Sequence, residues 1–155
     1  MPVVIPTVLT PPYSFRSPIP GQEFAAWIIG DDSLSSDGKL QVARELIGQG
    51  CRYAVCSGTD GSAWDDAVDL AYIESHPDNS RDSTEFVMTT WHDDESMEDI
   101  AAFFALNTTF DDFVPRLYVV VGVGGATPVD RAVALTSAQL GGLRPNTSLK
   151  RSRDR

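Results

Sequence analysis

The chain has 155 residues, is 42% hydrophobic and 22% charged, and carries a formal net charge of -10. That length is about one domain and buries a core without disulfides or metal. No apolar run approaches the roughly 20 residues that cross a bilayer, and so acidic a body repels a phosphate backbone, which excludes nucleic-acid binding through its globular part.

Residues 1–22 hold six of the ten prolines and show no periodicity, which predicts an extended arm draped over the domain or a partner. The segment has no basic n-region and too many prolines for a secretory leader, so a cytoplasmic protein is expected. FAAWIIG (24–30) is a short apolar run, the pattern of a strand buried on both faces. Gly30-Asp31-Asp32-Ser33 turns the chain. Ser36 or Asp37 then caps a helix to about Ile47, with Leu40, Ala43, Leu46 and Ile47 on one face and Gly48 and Gly50 stopping it.

CRYAVCSG (51–58) is the second predicted strand. Its two cysteines are an odd number of residues apart, so a regular strand points them to opposite faces, with Cα atoms about 16 Å apart. They are expected as reduced thiols, too few for a structural zinc site. Ser62 caps a second helix, with Trp64, Ala67, Val68, Ala71 and Tyr72 on the inner face and Asp65, Asp66, Asp69 and Glu74 on the other. His76 falls in a polar loop. EFVMTTW (85–91) is the third strand, and Ser96 caps a third helix with Met97, Ile100, Ala101 and Phe104 inward. Phe110-Asp111-Asp112-Phe113 leads to RLYVVVGVG (116–124), the fourth and most apolar strand. Thr127-Pro128 opens a fourth helix to about Leu140, closed by Gly141-Gly142. Residues 143–155 are poor in apolar side chains and are expected to be a disordered basic tail.

Four β-α units in series predict a three-layer Rossmann-like or flavodoxin-like α/β domain over residues 23–142. Its sheet is expected to be four-stranded and mostly parallel, with helices on both faces. The expected strand order is 2-1-3-4. Ligands of such sheets bind beyond the carboxyl ends of the strands, where the order switches. That order sets the ends after the first and third strands side by side, so that Asp31, Asp32, His92 and Asp93 converge on one rim.

Three readings compete for this rim. A divalent metal fits Asp31, Asp32, His92 and Asp93, because hard cations want oxygen ligands. With Asp60, they would make a metal-assisted enzyme for a phosphate-containing small molecule, His92 acting as base. Helix geometry gives a plainer account. Ser96 and Asp99 resemble a capping box, and acids in a first helical turn favour the positive end of the helix dipole. The third reading starts from charge. Residues 60–112 carry fifteen acids against Arg81 alone, whereas residues 144–155 carry five bases against Asp154. Acidic surface speeds association with basic partners.

Cys56 with His92 as a nucleophile pair is disfavoured, because acidic surroundings raise a thiol pKa. Gly122-Val123-Gly124-Gly125 looks like an anion cradle but lacks the full glycine pattern and a following lysine.

The run MTTWHDDE, followed by an apolar helix and TTFDDF, resembles a domain of unknown function found in small bacterial proteins. The resemblance covers roughly residues 24–122 and implies a small Rossmann-like protein, with no activity or site residue carried over. The leading expectation is therefore a non-catalytic acidic protein-binding domain, immunity- or antitoxin-like or an accessory subunit, that docks on a basic protein. Its contact residues would be Trp91, Asp94, Glu95, Asp65, Asp66 and Asp69. The alternatives are the metal-assisted enzyme and a degenerate Rossmann-like module that assembles complexes through its arm and tail.

Overall fold

The computed structural model describes residues 1–77 and 86–142. Nine elements follow in order: β1 (Val3–Leu9), β2 (Phe24–Gly30), α1 (Ser36–Gly48), β3 (Cys51–Gly58), α2 (Gly61–Ser75), β4 (Met88–Trp91), α3 (Met97–Leu106), β5 (Leu117–Val123) and α4 (Val129–Gly141). All four strand pairings are parallel, and the sheet order is β1-β5-β2-β3-β4. The expected three-layer α/β class holds. Among the described residues no helix is long and apolar enough to cross a membrane.

The strand count and order differ from expectation. The proline-rich arm is not a free extension, since Val3–Leu9 pairs with β5 along its whole length. Proline is tolerated there because β1 is an edge strand. The arm continues across the α1 face. Phe15 is buried against Phe24, with ring centroids 5.7 Å apart. Glu45 accepts the Phe15 N–H at 2.8 Å, and Gln49 accepts from Ser17 at 2.7 Å while donating to the Phe15 carbonyl at 2.9 Å. The described arm is therefore part of the fold and not a separate appendage. The basic tail and the predicted strand start at Glu85 lie outside the described residues.

Burial explains the order. Every position of β2 and β5 is buried, as central strands require, whereas the four residues of β4 are only half-buried or exposed and lie at the edge. Steps from β1 to β2 to β3 to β4 all move one way across the sheet, using the arm loop, α1 and α2 on one face. The return from β4 to β5 uses α3 on the other face, where it packs with α4. One handedness of crossover produces both.

The cysteine geometry is also corrected. Phe24 pairs with Cys51 but Ala25 with Tyr53, so Arg52 is an extra residue in β3. This bulge shifts the alternation, and Cys51 and Cys56 face the same core beneath α1 and α2. Both are free and buried.

Candidate functional site

The order reverses between β2 and β5, whose chains leave toward opposite faces. Beyond the carboxyl ends of β2, β3 and β4, and against the start of α4, lies a cleft of about 690 Å³. Its walls include Gly30 and Asp31 after β2, Ser57, Gly58 and Thr59 at the end of β3, His92 to Glu95 after β4, and Ala126 to Pro128 before α4. Met97 and Ile100 of α3 supply apolar floor.

Each wall has a local cause. Gly58 has φ +94°, and a Cβ there would overlap the backbone of Gly30, so glycine is required for β2 and β3 to end side by side. Behind it, the buried Trp27 indole donates to Ser57 Oγ at 2.8 Å and fixes that strand end. Asp31 accepts the Ser33 N–H at 2.9 Å, the short turn that aspartate favours. Its other oxygen packs against Gly124, where φ is +91° and any Cβ would collide with the carboxylate. This contact bears on the glycine loop after β5. An anion approaching Gly124 meets the Asp31 carboxylate, so the loop is a poor phosphate cradle.

His92 is the best-fixed side chain of the cleft. Its N–H donates to the Cys56 carbonyl at 2.9 Å and extends the β3–β4 ladder by one bond. Its ring is buried against Phe103, with centroids 4.6 Å apart. Nδ1 lies 3.0 Å from Glu95 Oε2 and Nε2 lies 2.9 Å from Thr90 Oγ1. With both ring nitrogens occupied, His92 braces the turn between β4 and α3, and to act as a base it would have to release a partner. Ser96 then caps α3, accepting from the Asp99 N–H at 3.0 Å as expected.

The cleft gathers Asp31, His92, Asp93, Asp94 and Glu95, but not in the expected arrangement. Because β4 neighbours β3 and not β2, the end of β3 stands between Asp31 and His92. Asp32 (φ +75°) is not among the lining residues. Asp60 sits on the α1–α2 side of Gly30, with Oδ2 2.9 Å from Lys39 Nζ. No group of three or more His, Cys, Asp or Glu side chains among the described residues is arranged to hold a metal ion. The four proposed ligands therefore do not form a ready-made set.

One predicted contact residue also changes role. Asp65, assigned to the solvent face of α2, is 6% exposed, and its Oδ1 has no hydrogen-bond partner. Burial raises its pKa, a nearby Thr89 hydroxyl opposes that, and Asp69 and Asp66 add to it. Trp91, also a predicted contact residue, ends the edge strand β4 and is 54% exposed. Asp66 and Asp69 are exposed as expected. The Cys56 thiol has its pKa pushed well up by burial and then by Asp65, which leaves it an inert core residue.

Sequence reasoning missed Thr127 and Pro128 as lining residues. Both read as a helix start, and only the packing of α4 against the strand ends turns that start toward the cleft. Among the described residues, the lining carries four carboxylates, Asp31, Asp93, Asp94 and Glu95, and no lysine or arginine.

No curated protein matches the chain in sequence. The profile of a family described as a domain of unknown function, DUF7684, matches residues 7–135, from β1 into α4 and including every wall of the cleft, and the chain belongs to that family.

Proposed function

Starting from membership of a family defined by its shared domain, we propose that this protein is an acidic binding domain that docks on a basic partner protein through the carboxyl rim of its sheet. The single observation that carries this reading is a cleft lined, among the described residues, by four carboxylates and no basic side chain. Such a field attracts cationic groups and raises their rate of encounter. It also disfavours phosphates and other anions at the place where an open parallel sheet keeps its ligands. Relative to the sequence-based expectation, the contact surface keeps the rim residues Trp91, Asp94 and Glu95 and loses Asp65 of α2, which is withdrawn into the core.

The test is a matched pair of charge changes. Asp93→Asn with Asp94→Asn neutralises the rim. Asp111→Asn with Asp112→Asn removes the same charge from the exposed α3–β5 loop at the other end of the sheet. Binding to an immobilised basic protein, such as a histone or a ribosomal protein, is measured by surface plasmon resonance across ionic strength. The expected outcome is slower association for the rim pair alone. Equal losses in both pairs would mean that net charge acts without a site, and would remove the reading.

A further inference from the structure

We infer that Trp91 is the anchor of this docking surface and that it receives an arginine side chain of the partner. The inference rests on the docking reading and sharpens it from a basic partner to an arginine-bearing one. The chain has three tryptophans. Trp27 and Trp64 are completely buried, while Trp91 is 54% exposed at the end of the four-residue edge strand β4. Stability of the fold gives no reason to hold an indole there, since burying it would be favourable.

Its position is defined by neighbouring contacts. Thr89 and Trp91 are two residues apart on one strand and share a face of the sheet. The Thr89 hydroxyl donates to Asp69 of α2 at 2.9 Å, so that face is the α2 side. Asp93 leans the same way, its Oδ1 3.9 Å from where a Gly61 Cβ would stand at the start of α2. The exposed indole therefore stands on the sheet face that also carries Asp69 of α2 and, toward the rim, Asp93.

An aromatic face bordered by carboxylates matches a guanidinium better than an ammonium. Arginine stacks its plane on the ring while its in-plane N–H groups reach flanking carboxylates, and it is the more weakly hydrated cation. Lysine offers a compact, strongly hydrated charge that the carboxylates alone can satisfy. Tryptophan and arginine are also the residues most enriched among interface hot spots.

Trp91 is the sole exposed tryptophan, so it reports its own occupancy. The probes are two blocked pentapeptides, acetyl-GRGRG-amide and acetyl-GKGKG-amide, titrated at low salt into the full chain. The readouts are quenching of the solvent-exposed component of the fluorescence, and binding measured separately by NMR. The inference expects the arginine peptide to bind about two- to fivefold more tightly than the lysine peptide. It also expects that preference to disappear in Trp91→Ala and to persist in Trp91→Phe, whose smaller ring still stacks. Unchanged thermal unfolding of both variants shows that the fold is intact. Equal binding of both peptides, unaffected by Trp91→Ala but lost in the Asp93→Asn, Asp94→Asn pair, overturns the arginine anchor and leaves the acidic docking reading standing. Binding of neither peptide overturns both. Burial of Trp91 in a concentration-dependent dimer before any peptide is added overturns the anchor in favour of self-association.

Discussion

The two ends of the sheet treat charge in opposite ways. At the amino end, Arg52 is 6% exposed and its cation is enclosed by the fold. Its Nε donates to the Phe86 carbonyl at 2.9 Å, Nη1 pairs with Glu23 at 3.1 Å, and the guanidinium lies 5.4 and 5.3 Å from the ring centres of Phe110 and Phe113. At the carboxyl end, Asp93 and Asp94 are exposed. Neither they nor Asp31 has a basic partner among the described residues. Charge that serves the fold is desolvated and surrounded by partners, whereas the rim carboxylates stay wet and unpaired, as the proposed docking role requires. The acidity of the chain alone does not distinguish these two situations.

The sharpest way to break this comparison is Arg52→Ala. It removes a buried charge-assisted hydrogen bond, an ion pair and two ring contacts, and is expected to cost about 2–4 kcal/mol in urea unfolding. The rim pair Asp93→Asn, Asp94→Asn should move stability by less than about 0.5 kcal/mol. Similar costs at both ends would mean that the rim carboxylates are structural after all.

A second experiment asks how rigidly the cleft wall is built. Gly124→Ala places a side chain at positive φ against Asp31 and is expected to cost about 1–3 kcal/mol. Combining it with Asp31→Ala removes the collision but not the backbone strain, so a double-mutant cycle should recover part of that loss. Strict additivity would show that the carboxylate does not press on the loop.

A smaller effect than either of these losses concerns Asp65, which behaves like neither end. Its pKa is raised by burial, so the folded state binds its proton more tightly than the unfolded chain does. Its contribution to stability is complete below the unfolded carboxyl pKa and is lost as pH rises through the folded value. Asp65→Asn should therefore stabilise the protein by about 1 kcal/mol at neutral pH, a gain that shrinks as pH falls toward 4. Chemical denaturation at both pH values checks it. A loss at neutral pH would mean that the ionised carboxylate has a partner worth more than its desolvation.

Local pattern made much of the fold legible. The apolar runs at 24–30, 51–58 and 116–124, the Ser96 cap and the alternation of strands with helices all follow from short-range preferences, and they point to the strand ends where the cleft lies. The β1 strand was hidden because its prolines read as an arm, and only pairing with β5 makes Val3–Leu9 a strand. The strand order was hidden too. Order depends on which strands can be buried on both faces, and that assigned the short β4 to the edge and separated Asp31 from His92. Helical periodicity gives Asp65 to the solvent side of α2, but the sheet turns the helix so that Trp64 and Asp65 are both buried.

By itself, then, the sequence determined the class of the fold, the strongly acidic balance and the stretch Trp91–Glu95 as a place of interest, because composition and local periodicity act over a few residues. The tertiary structure decided which of those acids face a common cleft, which are neutralised or buried, and that Trp91 alone of the three tryptophans meets solvent. Those outcomes depend on contacts between residues tens of positions apart, and a local pattern carries no record of them.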